Sequence, residues 1–155
     1  MLTRKTKLLL SLTAAIPLLF AACTDNGIFD PNEDVVGTYQ LTVFAGATVP
    51  WTFTVAAGQD PELPNGGTAR IEDGTLVLHS DGTFTETNSF TKTHATGGQS
   101  FQSDFISVGT FSVSGSQLTL QANAQNGYGP RFIDGTVEFD RVNYTEGGFA
   151  YEYRR

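Results

Sequence analysis

The sequence predicts an all-β domain, an antiparallel up-and-down barrel of about eight strands, set behind an N-terminal signal peptide and a short tether. Apolar and polar residues alternate with a period of two, which puts one face of a strand on a core and the other in water. Gly-Thr and Asp-Gly pairs punctuate the chain at short intervals, as the turns of successive hairpins do. No window keeps the apolar spacing of three and four that a helix of useful length requires.

Residues 1–22 carry Arg4, Lys5 and Lys7, then an apolar run from Leu8 to Phe20, then Ala21-Ala22 ahead of Cys23. A basic start, a greasy stretch too short to span a bilayer and small residues before a cut make a secretory signal. Cys23, the single cysteine of the chain, falls at the cleavage point. The segment resembles the signal of bacterial lipoproteins, whose lipobox ends in a cysteine that is cleaved ahead of its thiol and then acylated, for example with palmitate. The resemblance implies lipidation at Cys23 and partnership with a membrane through that anchor, each buried CH₂ contributing about 0.8 kcal/mol. The implied location is the bacterial cell envelope, on the outer membrane or facing the periplasm. Without acylation the same signal yields a secreted protein.

Residues 23–34 are polar, acidic and broken by Gly27 and Pro31, and read as a flexible acidic tether behind the lipidated cysteine. Asp30, Asn32 and Asp34 alternate like the opening of a calcium loop, but Pro31 intrudes and the glycine and distal Glu are missing. Removing residues 1–22 takes away three of the 9 Lys and Arg and none of the 16 Asp and Glu, leaving a net charge of −10. So acidic a surface has no footprint for nucleic acid, which is bound through basic patches.

Residues 35–155 hold one domain. Runs between turns place strands near 35–44, 49–55, 68–79, 83–93, 105–113, 117–123, 135–144 and 148–154. Tyr39, Leu41 and Val43 alternate with threonines and Gln40, and Trp51, Phe53 and Val55 alternate with Thr52 and Thr54. Asp73-Gly74, Asp81-Gly82 and Asp134-Gly135 suit the positive φ angles of tight turns, as do Ser114-Gly115-Ser116 and Glu146-Gly147-Gly148. The run holding Asp73-Gly74 reads as a strand with a bulge or as two short strands. Longer loops are expected at 56–67, 94–104 and 123–134, rich in Gly, Pro, Asn and Gln.

Four stretches carry a family likeness: Gly37-Thr38-Tyr39-Gln40-Leu41, Leu76 to Phe84 through Asp81-Gly82-Thr83, Gly109-Thr110-Phe111-Ser112-Val113, and Phe149 to Arg155. Together they resemble bacterial lipocalin-like lipoproteins. In lipocalins proper a Gly-x-Trp on the first strand packs beneath a basic side chain from the end of the barrel. The resemblance implies that Gly37 and Tyr39, with tyrosine standing for Trp, meet Arg154 or Arg155 where first and last strands pair and close the barrel.

An eight-stranded barrel is just wide enough either to be filled by side chains or to hold one small ligand. Its expected inward rings include Phe90, Phe111, Phe139 and Phe149. If a ligand is held, Trp51, Phe53, Phe84 and Tyr151 are the expected walls. Glu86 and Asn88 share the face of Phe84 and Phe90, so they are polar groups that need partners if that face points inward; the plainer reading is a rim strand wet on both faces. His79 and His94 lack metal-ligand spacing, and in Ser80-Asp81 beside His79 neighbouring side chains point to opposite faces and make no triad. No nucleophile elbow, P-loop or dinucleotide fingerprint appears. The expectation is therefore a non-enzymatic envelope lipoprotein with no cofactor and no metal, binding a small apolar ligand in its barrel. The rival expectation is a filled barrel that docks on another envelope protein.

Overall fold

The computed structural model describes residues 33–124 and 129–155. The signal segment, Cys23 and the tether up to Asn32 lie outside the described residues. A 3₁₀ turn, Glu33–Val35, precedes β1 (Gly37–Phe44), β2 (Ala47–Thr48), β3 (Trp51–Val55), β4 (Gly67–Leu78), β5 (Thr83–His94), β6 (Ser100–Ser114), β7 (Gln117–Ala122), β8 (Arg131–Glu138), β9 (Arg141–Glu146) and β10 (Phe149–Arg154). From β4 to β10 each strand pairs with its neighbour in sequence, and β1 closes the ring by pairing with both β4 and β10. The result is a closed, eight-stranded antiparallel barrel.

The first stave is shared. Gly37 to Gln40 run against Leu78 to Thr75 of β4, while Gln40 to Phe44 run against Arg154 to Tyr151 of β10. β1 leaves β4 after Gln40, and β3 takes its place, pairing Trp51–Val55 with Ile71–Gly67. β2 folds back on β1 through Ala45 and Gly46, whose φ angles of 52° and 82° suit a tight reversal.

Two bulges keep apolar side chains on the core face. The register shifts between Leu41 and Val43 in β1 and between Ile71 and Asp73 in β4. Each extra residue changes the parity of the inward positions, so that Leu41 is followed by Phe44, and Ala69 and Ile71 by Gly74, Leu76 and Leu78, all buried. Without the slip, half of each strand would turn its apolar residues to water. Gly74 faces inward, where a Cβ would lie 2.1 Å from Asn88 Oδ1.

Several expected boundaries are corrected. The strand expected at 49–55 is β3 alone, from Trp51, and a cis Val49–Pro50 bond separates it from the two-residue β2 before it. The loop at 94–104 is shorter, because Ser100 to Asp104 continue the ladder opposite Thr93 to Ser89. The run at 135–144 is the end of β8 and the start of β9, reversed at Phe139-Asp140; Phe139 is therefore 74% exposed and not inward. Asp134-Gly135 lies inside β8, opposite Thr119 and Leu118. A Cβ on Gly135 would sit 2.4 Å from the Asn143 carbonyl oxygen, so the glycine serves a close approach of strands and not a turn.

The lower half of the barrel, where the 3₁₀ turn and the C-terminus meet, is solidly filled. Tyr39, Leu76, Leu78, Phe84, Leu118, Leu120, Val142 and Tyr153 are at most 1% exposed. Its end is capped by Arg155, whose guanidinium lies 4.8 Å from the centroid of the Tyr39 ring and donates to the carbonyls of Val36 at 2.5 Å and Asp34 at 3.3 Å. Tyr39 in turn donates to the Val35 carbonyl at 2.7 Å. Arg154 points away, pairing with Glu152 on the outer wall.

Candidate functional site

Exposure changes along the inward face. On β5, Phe84, Glu86 and Asn88 are buried and Phe90 is half-buried; on β6, Phe111, Gly109 and Ser107 are buried while Phe105, Ser103 and Phe101 are half-buried. Trp51, Phe53 and Tyr151 are half-buried as well, and Phe149 is 39% exposed. Phe44 stands at the centre of these rings, 5.5 Å from Phe53, 6.1 Å from Trp51, 5.1 Å from Tyr151 and 5.2 Å from Phe149, centroid to centroid. The bulge in β1 turns Phe44 inward, and the departure of β1 from β4 makes room for Trp51 and Phe53 beside it. The upper half of the barrel is thus a bowl of half-buried aromatic rings gathered round Phe44 over a packed base.

Its floor is polar. Oε1 of Glu86 accepts from the Tyr144 hydroxyl at 2.5 Å, the Tyr153 hydroxyl at 2.7 Å and Asn88 Nδ2 at 2.7 Å. Three donors on one oxygen suit a carboxylate acceptor. Oε2 has no hydrogen-bond partner among the described residues, although Glu86 is 0% exposed. Burial first, and the neighbouring Glu86 charge as well, hold the Tyr144 and Tyr153 hydroxyls well above their ordinary 10.0, so both remain donors across the physiological range.

On one side of the bowl Arg131 pairs with Glu146, donates to Ser107 Oγ at 3.0 Å and lies 5.1 Å from the Phe105 centroid. Burial pushes the Glu146 carboxyl up, Arg131 pulls it down and Glu86 adds to the rise; the net shift is upward. On the other side the 56–66 segment folds over the mouth. Leu63, 0% exposed, packs with Val55 and Ala69 against Phe53, Phe90 and Phe101. Lys92, inward on β5, clamps that segment through Asp60 at 2.7 Å and Glu62 at 2.6 Å, and Ser103 donates to Glu62 at 2.6 Å. Burial alone would lower the Lys92 pKa, but the two carboxylates outweigh it and raise it, while the Lys92 and Ser103 hydrogen bonds lower that of Glu62.

The structure gathers Trp51, Phe53 and Tyr151 at the bowl, with Glu86 and Asn88 at its floor; Phe84 lies below them in the packed core. Glu86 and Asn88 point inward, not to a wet rim. Phe44, Lys92, Phe105, Arg131, Tyr144 and Glu146 also belong to the site and were not singled out from the sequence. Lys92 continues the two-residue period of Phe84, Glu86, Asn88 and Phe90, so it was within reach of the pattern. Phe44 is hidden by the bulge, and Arg131 and Glu146 are brought in only by barrel closure. His79 Nε2 lies 3.3 Å from Thr85 Oγ1, and the His94 ring lies 5.3 Å from that of Phe101. Among the described residues no group of three or more His, Cys, Asp or Glu is placed to hold a metal ion. Two open grooves lie elsewhere, one of about 540 Å³ at the lower rim beside Gly37, His79 and Asp81, the other of about 390 Å³ on the outer wall of β8 to β10. No protein-family model, curated protein or solved structure matches the chain.

Proposed function

We propose that this protein is a non-enzymatic, lipid-anchored lipoprotein of the bacterial cell envelope whose lipocalin-like barrel binds a small molecule with an apolar body at its upper end. One observation carries the ligand reading: inward rings are left half-open to solvent above a base that is completely filled. A barrel evolved only as a rigid spacer gains nothing by leaving Trp51, Phe53, Phe90 and Phe105 unburied, since each fully buried side chain of that size contributes about 1.5–3 kcal/mol. The closed eight-stranded ring and the arginine against Gly37-x-Tyr39 support the lipocalin likeness. The test is titration of the single tryptophan, Trp51, with fatty acids, retinoids and sterols; a saturable quench or blue shift is expected, and a flat response to all three classes overturns the reading. The anchor rests on the signal segment alone. Cys23→Ala is expected to abolish lipid incorporation, and mature-size, membrane-attached protein from that variant overturns it.

A second reading, a filled barrel that docks on another envelope protein, is favoured by Leu63, which plugs the mouth. It predicts the flat titration.

A further inference from the structure

We propose that the bowl selects organic ammonium ions, an amine carried on an aromatic or aliphatic body, and that Glu86 is the residue that selects them. The proposal rests on the small-molecule reading above and names the class of molecule.

The argument begins with charge. Two basic side chains, Lys92 and Arg131, serve the site, and each is engaged by acids: Lys92 by Asp60 and Glu62, Arg131 by Glu146. Among the described residues Glu86 makes no ion pair, and its hydrogen-bond partners Tyr144, Tyr153 and Asn88 are all neutral. A carboxylate fully withdrawn from water and left without a cation is costly to bury. All three donors converge on Oε1, which leaves Oε2 unpartnered.

The surroundings suit a cation. Directly above Glu86 on the inward face stand Asn88 and Phe90 of β5 and, opposite Asn88, Phe105 of β6. Tyr151 stacks 4.8 Å from Tyr144, the ring whose hydroxyl holds the carboxylate. An ammonium group has N–H donors for Oε2, and its charge is attracted by ring faces. The rest of the ligand would lie against the half-buried rings. A carboxylate ligand would meet Glu86 and Glu146, and an alcohol would supply one donor without the charge.

The test compares three probes with one body and different heads, 2-phenylethylamine, 2-phenylethanol and 3-phenylpropanoate, against the full chain in zwitterionic nanodiscs, read by Trp51 fluorescence. The amine is expected to bind at least about tenfold more tightly than either of the others, and Glu86→Gln to abolish that preference while the alcohol is unaffected. Equal affinity for the three heads overturns the ammonium assignment and leaves the small-molecule reading standing. Silence from all three overturns the assignment, and silence from fatty acids, retinoids and sterols too overturns both. Should Glu86→Gln lose its cooperative urea transition, the head-group comparison on the unaltered protein decides alone. A Glu86→Gln variant that folds and keeps the amine preference shows that another residue selects, and the assignment to Glu86 fails.

Discussion

Tyr153→Phe isolates the hydrogen bond that ties the last strand to the polar floor. The ring is 0% exposed and packed on every side, and removing one oxygen leaves its shape intact, so no cavity term enters. What is lost is a donor 2.7 Å from Glu86 Oε1 and 3.0 Å from Asn88 Oδ1. Hydrogen bonds to a charged group contribute about 1.5–3 kcal/mol, and the acceptor stays buried after the donor is gone. A loss of about 2 kcal/mol is a large share of the roughly 5–15 kcal/mol that holds a domain together. With a urea slope of about 2 kcal/mol per molar, the midpoint falls by about 1 M. The assay is urea unfolding followed by Trp51 fluorescence and by far-ultraviolet circular dichroism, the two probes being required to coincide. Tyr144→Phe is expected to cost a similar amount, and the double variant to deviate from the sum by about 0.5 kcal/mol or more, because the two hydroxyls share one oxygen. A Tyr153→Phe midpoint within about 0.2 M of the unaltered protein, at unchanged slope, would refute the claim that Glu86 is held as a carboxylate by these donors.

Arg155→Ala removes the ring contact with Tyr39 and the donor to the Val36 carbonyl; discounted for the exposure of the side chain, this costs about 1–2 kcal/mol and lowers the calorimetric Tm by about 5 °C. Arg155→Lys should recover little of it, since an ammonium lacks the flat fork, and an unchanged Tm in the Ala variant would show that the cap is idle. In alkali, burial raises Tyr39, Tyr144 and Tyr153 above 10.0 in the folded state, so the unfolded chain loses these protons first. Stability is full below about pH 10 and falls as pH rises beyond it. Tyrosinate absorbance should therefore grow together with loss of circular dichroism, and ionisation of these three in a still-folded protein would contradict their burial.

The ladder of the barrel was legible from period-two alternation because that pattern needs no knowledge of distant contacts. The turns at Asp81-Gly82, Ser114-Gly115-Ser116 and Glu146-Gly147-Gly148 were legible for the same reason. Asp134-Gly135 was not, since glycine also serves where strands come close, and only the neighbouring Asn143 carbonyl tells the two uses apart. The reversal at Phe139-Asp140 carries no glycine or proline to mark it. Ser100 to Asp104 look like loop by composition and become strand because β5 extends far enough to pair with them. At the site, Glu86 and Asn88 stood out as polar residues on an aromatic face. Their partners Tyr144 and Tyr153 lie 58 and 67 residues from Glu86, beyond the reach of any local pattern.

Along one of its sides β4 answers to two partners in turn, its lower end to β1 and its upper end to β3. β3 ends the sheet order, so it is hydrogen-bonded in the ladder on one side only, and it is held from above by the segment that Lys92 and Leu63 pin down. Such a unit can detach without breaking the closed ring beneath, at a free energy below that of global unfolding. Amide hydrogens of β3 and of the upper β5–β6 hairpin should therefore exchange through partial opening, while those of Leu76, Phe84 and Tyr153 wait for the whole domain to unfold. Breathing confined to the upper end gives a buried floor a route to the outside, and the opening rate of that unit sets an upper limit on how fast anything can reach Glu86 or leave it.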